Sequence, residues 1–174
     1  EMRSAYFSFP WGHIGEYESQ IASVVVDRRV GDEDVIFLAP LVEPERQSLR
    51  AIDEHLRRYK EEPVESVRAF REAMRVGRLP GPVRRFLWRL SLDVLPRRRA
   101  RHFGTFGVTT MSPFGAKTLV VPSLWSAFLH YGAITPAGEV PVGLAFDHRV
   151  MDGAAVGFTL LEMEQALHHE IAAE

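Results

Sequence analysis

Residues Ala145–Gly153 read AFDHRVMDG. His148 stands between an aspartate and an arginine, with a second aspartate, Asp152, four positions on and Gly153 directly after it. Histidine titrates near neutrality, so an imidazole fixed by its neighbours can take a proton from a thiol and act as a general base. A plainer reading competes with this one. Asp152 would cap the helix that follows, complementing its dipole and its free N–H groups, and His148 would be an ordinary loop residue. Spacing alone favours the plainer reading and does not decide between them.

The elements around the motif set where it must lie. Val140, Val142, Leu144 and Phe146 alternate, as in a strand with one buried face that delivers His148 into a turn. After Gly153, Val156, Leu160, Met163, Leu167 and Ile171 form one stripe of a terminal helix. Upstream, IASVVVD (21–27) and VIFLAPLV (35–42) read as strands, with RRVGDED between them as an exposed connection. Leu49, Ile52, Leu56 and Tyr59 mark an amphipathic helix with Pro44 in its first turn, and Val67, Phe70 and Met74 mark a second that opens at Pro63 and ends at Gly77. VRRFLWRLSLDVL is a further short helix. GTFGVTT, TLVV and WSAFLHYGA are short strands split by Gly and Pro, and the first twenty residues read as irregular. Strands, then helices, then strands and a helix imply an α+β fold with a mixed or antiparallel sheet.

Composition narrows the chemistry. The chain of 174 residues fits one domain with a real core. Its net charge of −2 carries no nucleic-acid signature for the chain as a whole. With no cysteine, disulfides, thiolate metal sites and a cysteine nucleophile are excluded. No apolar run is long enough for a bilayer, so a soluble, cytoplasmic chain is the default expectation. There is no P-loop and no dinucleotide fingerprint. His168 and His169 read as a solvated helix end. His13, His55, His102 and His130 show no ligand spacing, so no metal is expected.

The pattern His-x-x-x-Asp-Gly, here HRVMDG inside FDHRVMDG, resembles the active-site motif of the acyltransferase catalytic domain of 2-oxo acid dehydrogenase complexes, which shares motif and fold with chloramphenicol acetyltransferase. GTFGVTTMSPFGAK is similar to a second family segment, WSAFLHYGAI to a strand ending in a Gly-rich turn, and residues 21–60 to the family's paired strands and following helix. The resemblance implies a chloramphenicol acetyltransferase-like two-layer sandwich with a mixed sheet and packed helices. It implies acyl transfer between CoA and a thiol such as a dihydrolipoyl group, or another small acceptor. His148 matches the general base, Asp152 the residue that supports the geometry, and Thr109 the hydroxyl that donates to the oxyanion; without the family, Thr109 reads as a plain strand threonine. A homotrimer is implied, with each site between two subunits.

The chain departs from the family in places. The family's N-terminal part has no match, so residues 1–174 read as a single catalytic-like domain lacking that part, with Arg3 the nearby candidate to pair with Asp152. Thr110 and Pro113 replace the residues usual after the oxyanion hydroxyl. No lipoyl domain is expected within this chain. The family is shorter at about residues 66–102, so that segment reads as an Arg-rich insertion. From Arg68 to Arg101 there are eleven arginines, and the only acids are Glu72 and Asp93. A solvated helix face leads the readings. Arg97, Arg98, Arg99 and Arg101 flanking the mouth for CoA phosphates is the second. A basic helix with Phe86, Leu87 and Trp88 on an anionic membrane is the third. Nucleic acid comes last. A catalytically inactive scaffold or assembly protein is the rival to an enzyme.

Overall fold

The computed structural model describes residues 4–8, 12–110 and 124–171. Its centre is a mixed sheet of five strands in the order β4-β3-β5-β6-β7: β3 (Ile21–Val30), β4 (Glu33–Val42), β5 (Phe106–Thr110), β6 (Ala127–Tyr131) and β7 (Val142–Phe146). The outer pairs β3–β4 and β6–β7 are antiparallel, and the inner pairs β3–β5 and β5–β6 are parallel. The α+β reading with a mixed sheet holds. No helix among the described residues is long and apolar enough to cross a membrane.

Two expectations about the N-terminal half need correcting. The first twenty residues are not irregular throughout: β1 (Ala5–Ser8) and β2 (His13–Glu16) form a separate antiparallel pair. Tyr6 stands opposite Gly15, and a Cβ there would sit 2.6 Å from the Tyr6 ring, so the glycine that suggested a loop makes room for an aromatic side chain. RRVGDED is not a loop either. The strands run on to Val30 and Glu33, leaving a two-residue turn in which Gly31 has φ 63°, as the first position of a II′ hairpin requires.

Helix boundaries shift for similar local reasons. Pro44–Arg46 forms its own 3₁₀ turn. α1 (Leu49–Glu61) starts only after Ser48, whose hydroxyl accepts the Ala51 N–H at 3.3 Å. α2 (Arg68–Gly77) starts five residues beyond Pro63, because Pro63–Ser66 is closed as a turn by the Ser66 N–H to the Pro63 carbonyl. α3 (Gly81–Arg89), a π-helical turn at Leu90–Val94 and α4 (Pro96–Phe103) return the chain to β5. α5 (Gly153–Ala166) follows β7 and runs into a second π-helical segment, Leu167–Ile171. On its apolar stripe Val156 is buried, whereas Leu167 is 46% exposed and, off the stripe, Phe158 is 68% exposed. TLVV lies outside the described residues.

The stripe read on α2 is its buried side. Phe70 is fully buried against Val26, Phe37, Ala39, Val64 and Val67, with the Phe37 ring stacked at 4.5 Å. Tyr59 of α1 closes this cluster by donating to the Pro40 carbonyl at 2.8 Å. The sheet itself is joined at Gly104–Thr105. The buried Thr105 accepts the Ile21 N–H on Oγ1 at 2.9 Å and returns its own N–H to the Ile21 carbonyl at 2.8 Å. Gly104 has φ 77°, and a Cβ there would lie 2.8 Å from the Ile21 carbonyl oxygen.

Two substitutions probe these two anchors. Phe70→Ala is expected to cost about 3–5 kcal/mol of stability. Gly104→Ala adds strain at positive φ to a backbone clash and is expected to cost more than about 1 kcal/mol. Both are read from the denaturant midpoint, and an unchanged midpoint for Gly104→Ala would remove the β3–β5 junction as a constraint.

Candidate active site

His148 sits in the turn between β7 and α5, and the turn is built on Asp147. The Asp147 N–H donates to the Ser126 carbonyl at 2.9 Å, which carries the ladder one step past the end of β7. Its own carbonyl accepts the N–H groups of Val150 at 2.9 Å and Met151 at 3.2 Å, which bends the chain towards α5. The carboxylate accepts the Arg149 backbone N–H at 3.0 Å, the Asx-turn geometry that suits aspartate here. The Arg149 guanidinium then closes on both carboxylate oxygens, Nε at 2.9 and 3.1 Å and Nη2 at 2.6 Å. His148 is thereby carried between two clamped neighbours.

The clamp reaches further. The Arg149 guanidinium lies 4.5 Å from the centre of the Phe7 ring of β1, a cation–π contact. The Ser126 hydroxyl donates to the Ala5 carbonyl of the same strand. The Arg149 hydrogen bond, aided by the positive charge of Arg99, holds the Asp147 carboxyl below the usual carboxylate range. His148 itself is exposed, with its ring 4.7 Å from that of Phe146.

Asp152 does what the plainer reading expects: its carboxylate accepts the Ala155 N–H at 2.8 Å as the N-cap of α5. Arg3 lies outside the described residues, as does Pro113. The ion pair of the motif is Asp147–Arg149, which periodicity did not reveal because it spans a turn. The aspartate–x–arginine spacing at the end of a strand was its one sequence signal.

Thr109 is buried at the end of β5, opposite His130 of β6, which in turn stands opposite Gly143 of β7. This face of the sheet also carries Gly107 and Phe128, which pair with each other. Gly143 is three residues before Phe146 along β7. Two strand spacings and three residues of rise separate Thr109 from Phe146 by roughly 14 Å, so one chain does not bring the Thr109 hydroxyl to His148. The intervening His130 is buried, its ring filling the volume a Gly143 side chain would need, and sequence spacing gave no sign of it.

The four arginines of α4 do not converge. Arg97 pairs with Glu18 at 2.8 Å, Arg99 donates to the Leu124 carbonyl, Arg98 is exposed, and Arg101 lies beside Glu72. Arg99 is the member of the set that comes near the motif, through Asp147. A cleft of about 440 Å3 is lined by His55, Arg58, Glu62, Arg68, Glu72 and Arg101 among others; neither His148 nor Thr109 reaches it. The opposed charges Arg58–Glu62 and Arg68–Glu72 pair within it at 2.8 Å each.

The fold is that of dihydrolipoamide acetyltransferase catalytic cores. The chain is similar to the Azotobacter vinelandii dihydrolipoamide acetyltransferase at 17% identity and a TM-score of 0.58, covering 98% of this chain and 62% of that one. In that protein a serine, a histidine and, four positions after the histidine, an asparagine have been investigated for their role in the catalytic mechanism. A truncated catalytic core of the 2-oxoacid dehydrogenase multienzyme complex from Thermoplasma acidophilum is similar at 15% identity and a TM-score of 0.57, over 95% of this chain and 65% of that one. The cubic core of a pyruvate dehydrogenase multienzyme complex is similar at 15% identity and a TM-score of 0.54, over 98% and 62%. The chain thus spans under two thirds of the length of each. No family model matches the sequence, and no curated protein matches it.

The clamp has a pH signature. A carboxyl whose folded pKa is depressed adds stability above its unfolded pKa and loses it as pH falls through the folded value. Arg149→Gln removes the cause of the depression at Asp147. The gap in melting temperature between parent and variant is therefore expected to be full at neutral pH and to close below the usual carboxylate range. A gap independent of pH would show that Arg149 acts by packing alone. Separately, Asp152→Ala is expected to cost about 1 kcal/mol as a lost cap, while Asp152→Asn keeps most of it.

Proposed function

We propose that this chain is a CoA-dependent acyltransferase, moving an acyl group between CoA and a thiol such as a dihydrolipoyl group, or another small acceptor, with His148 as the base. The observation that carries the reading is the pairing of fold and motif. The chain has the fold of acetyltransferase catalytic cores, and at the end of β7 it presents a histidine and, four residues on, a polar side chain. The Azotobacter enzyme has a histidine and an asparagine at the same spacing.

The chemistry follows from the side chains. The His148 imidazole takes the proton of the attacking thiol, and the thiolate sulfur forms a bond to the thioester carbonyl carbon. The carbonyl oxygen becomes an oxyanion, to which the Thr109 hydroxyl donates; a positioned donor of this kind is worth roughly 2.7–4 kcal/mol. Collapse of the tetrahedral intermediate breaks the old carbon–sulfur bond, and the departing thiolate takes the proton back from the imidazolium. Asp147 and Arg149 hold the turn that carries the base, and Asp152 holds the start of α5 behind it.

Because one chain keeps Thr109 and His148 well apart, the reading requires a second copy, arranged so that the hydroxyl of one faces the base of the next. A homotrimer, as the family resemblance implies, would provide three such junctions. The exposed apolar side chains of α5, Phe158 and Leu161, are surface that an interface would cover. In this reading the arginines of α4 attract CoA phosphates as a basic rim rather than a single pocket, since Arg97, Arg99 and Arg101 face different neighbours. The rival, a scaffold without activity, is favoured by the solvent exposure of His148 in a single chain.

Acetyl transfer from acetyl-CoA to dihydrolipoamide, amines and alcohols tests the choice. His148→Ala is expected to lose roughly 10²–10⁴ in rate with the fold intact by circular dichroism. CoA at a hundredfold excess over its Kd is expected to stabilise the folded protein by about 2.7 kcal/mol. Refolding His148→Ala together with Thr109→Val, after sedimentation has established the oligomer, is expected to restore activity above either variant. A parent inactive with every acceptor, and not stabilised by CoA, assigns the scaffold. A monomer, or verified mixed oligomers without recovered activity, rejects the shared site.

A further inference from the structure

α3 stands apart from the other helices in how little of it is covered. Residues 82–86, 88 and 89 are exposed, and only Gly81 and Leu87 are half-buried. Phe86 is 65% exposed, and Val83, Trp88 and, in the following π-helical turn, Val94 are also exposed apolar side chains. At 100° per residue, Val83, Phe86, Leu87 and Leu90 share one arc of the helix, and Arg84, Arg85 and Arg89 lie on the opposite arc. Trp88 falls within the basic arc, between Arg84 and Arg85, and meets Phe103 edge-on at 5.5 Å.

The charge carried by α3 itself is of one sign. Between Glu72 and Asp93 the sequence has five arginines, Arg75, Arg78, Arg84, Arg85 and Arg89, and no acid. On α1 and at the start of α2 arginines pair with acids at i,i+4: Arg50 with Glu54, Arg57 with Asp53, Arg58 with Glu62 and Arg68 with Glu72. Among the described residues Arg75, Arg78, Arg84 and Arg85 form no ion pair, and Arg84 reaches only the Gly77 carbonyl, at 3.1 Å.

We propose that α3 is a membrane-surface element, which lays Val83 and Phe86 into the interface of an anionic lipid bilayer while its arginines meet the lipid phosphates. Basic and apolar arcs on one short exposed helix are the arrangement that lies in the plane of a membrane rather than crossing it. Nucleic acid fits less well, because Val83 and Phe86 lie on the arc away from the arginines and Trp88 is the one aromatic on the basic arc of α3, where stacking on bases needs a series of rings along a basic groove. A purely charged attraction would not need exposed Phe86 and Val83. The element is separate from the acyl-transfer site, since neither His148 nor Thr109 lies on it, and it stands whether or not the chain is an enzyme.

Co-sedimentation of the whole chain with mixed phosphatidylglycerol–phosphatidylcholine vesicles, against phosphatidylcholine alone, tests it. Binding to the anionic vesicles only, weakened by added salt, is expected. Replacing Arg84, Arg85 and Arg89 together by Gln is expected to weaken binding on the order of a hundredfold. Phe86→Ser is expected to weaken it as well, while Arg50→Gln with Arg57→Gln on α1 leaves it unchanged. In the parent, Trp88 emission is expected to shift to the blue on binding, and Trp88→Phe to abolish that shift. Circular dichroism and sedimentation of the free variants show that fold and oligomer are intact. No binding, equal binding to both vesicles, or a triple variant that binds as well as the parent would overturn the proposal. So would Phe86→Ser breaking up the oligomer with vesicle binding intact, which would make α3 a contact between protein chains.

Discussion

The rest of the structure depends on one junction, the parallel seating of β5 beside β3. After Val42 the chain leaves the sheet, and it returns only at Phe106. Turns and four α-helices intervene, and they must deliver β5 in register. Thr105 fixes that register from both sides, accepting from and donating to Ile21. Gly104 lets the backbone come close enough for it to do so. An unsatisfied buried hydroxyl or N–H at this seam would cost about 1–3 kcal/mol, which is large for a marginally stable domain. Strands β6 and β7 are then placed by pairing outward from β5, so the position of His148 traces back to Gly104 and Thr105.

From that seam the sheet sets a limit on what one chain can do. Thr109 lies one residue before the end of β5, and His148 follows β7, two strands away and at the other end of the β6–β7 ladder. A sheet of near-constant strand spacing offers no local adjustment that closes such a gap. What the chain can do by itself is hold the turn. Arg149 binds Asp147 in a bidentate pair while stacking on Phe7, so its planar guanidinium serves a carboxylate and an aromatic ring at once, which a lysine could not match. The β1–β2 pair is thereby tied to the motif, by Phe7 to Arg149 and by Ala5 to Ser126.

Much of this was legible in the residues. The β-branched runs of β3 and β4 and the stripe of Val67, Phe70 and Met74 appear as elements because their pattern reports burial directly, whereas β7 forms where its alternation placed a strand but without the expected buried face, since all five of its residues are half-buried and Val140 is exposed outside it. The motif at His148 was read from its residue types, and the cap by Asp152 from its place before a helix. The β1–β2 pair was not legible, since Gly15 opposite Tyr6 looks like a breaker until the partner strand is known. The Asp147–Arg149 clamp was hidden because it lies within a turn and has no period. His130 was hidden because its meaning comes from the strand order: it matters only once β6 is known to lie between Thr109 and Gly143. The spread of the α4 arginines was hidden for the same reason, since their partners Glu18, Leu124 and Glu72 come from three distant parts of the chain.

The arginine-rich segment divides at the π-helical turn Leu90–Val94, and the division is physical. Beyond it, α4 packs against β3 and β4, with Ala100 buried, so Arg97, Arg99 and Arg101 meet groups of the protein itself. Before it, α3 has little beneath it except that turn, so its arginines and apolar side chains both face outward. A solvated face would account for the arginines of α3 but not for Phe86 and Val83 beside them, because exposing those rings and methyl groups to water brings no gain in solubility. A buried helix would account for the apolar side chains but not for the three arginines of α3 with no acid among them. The composition that looked uniform from Arg68 to Arg101 therefore serves two ends: α4 helps to seat the sheet, and α3 is left with exposed apolar side chains, Val83 and Phe86, on a helix whose charges are all basic, the combination that a membrane surface apolar beneath and anionic at its boundary would satisfy.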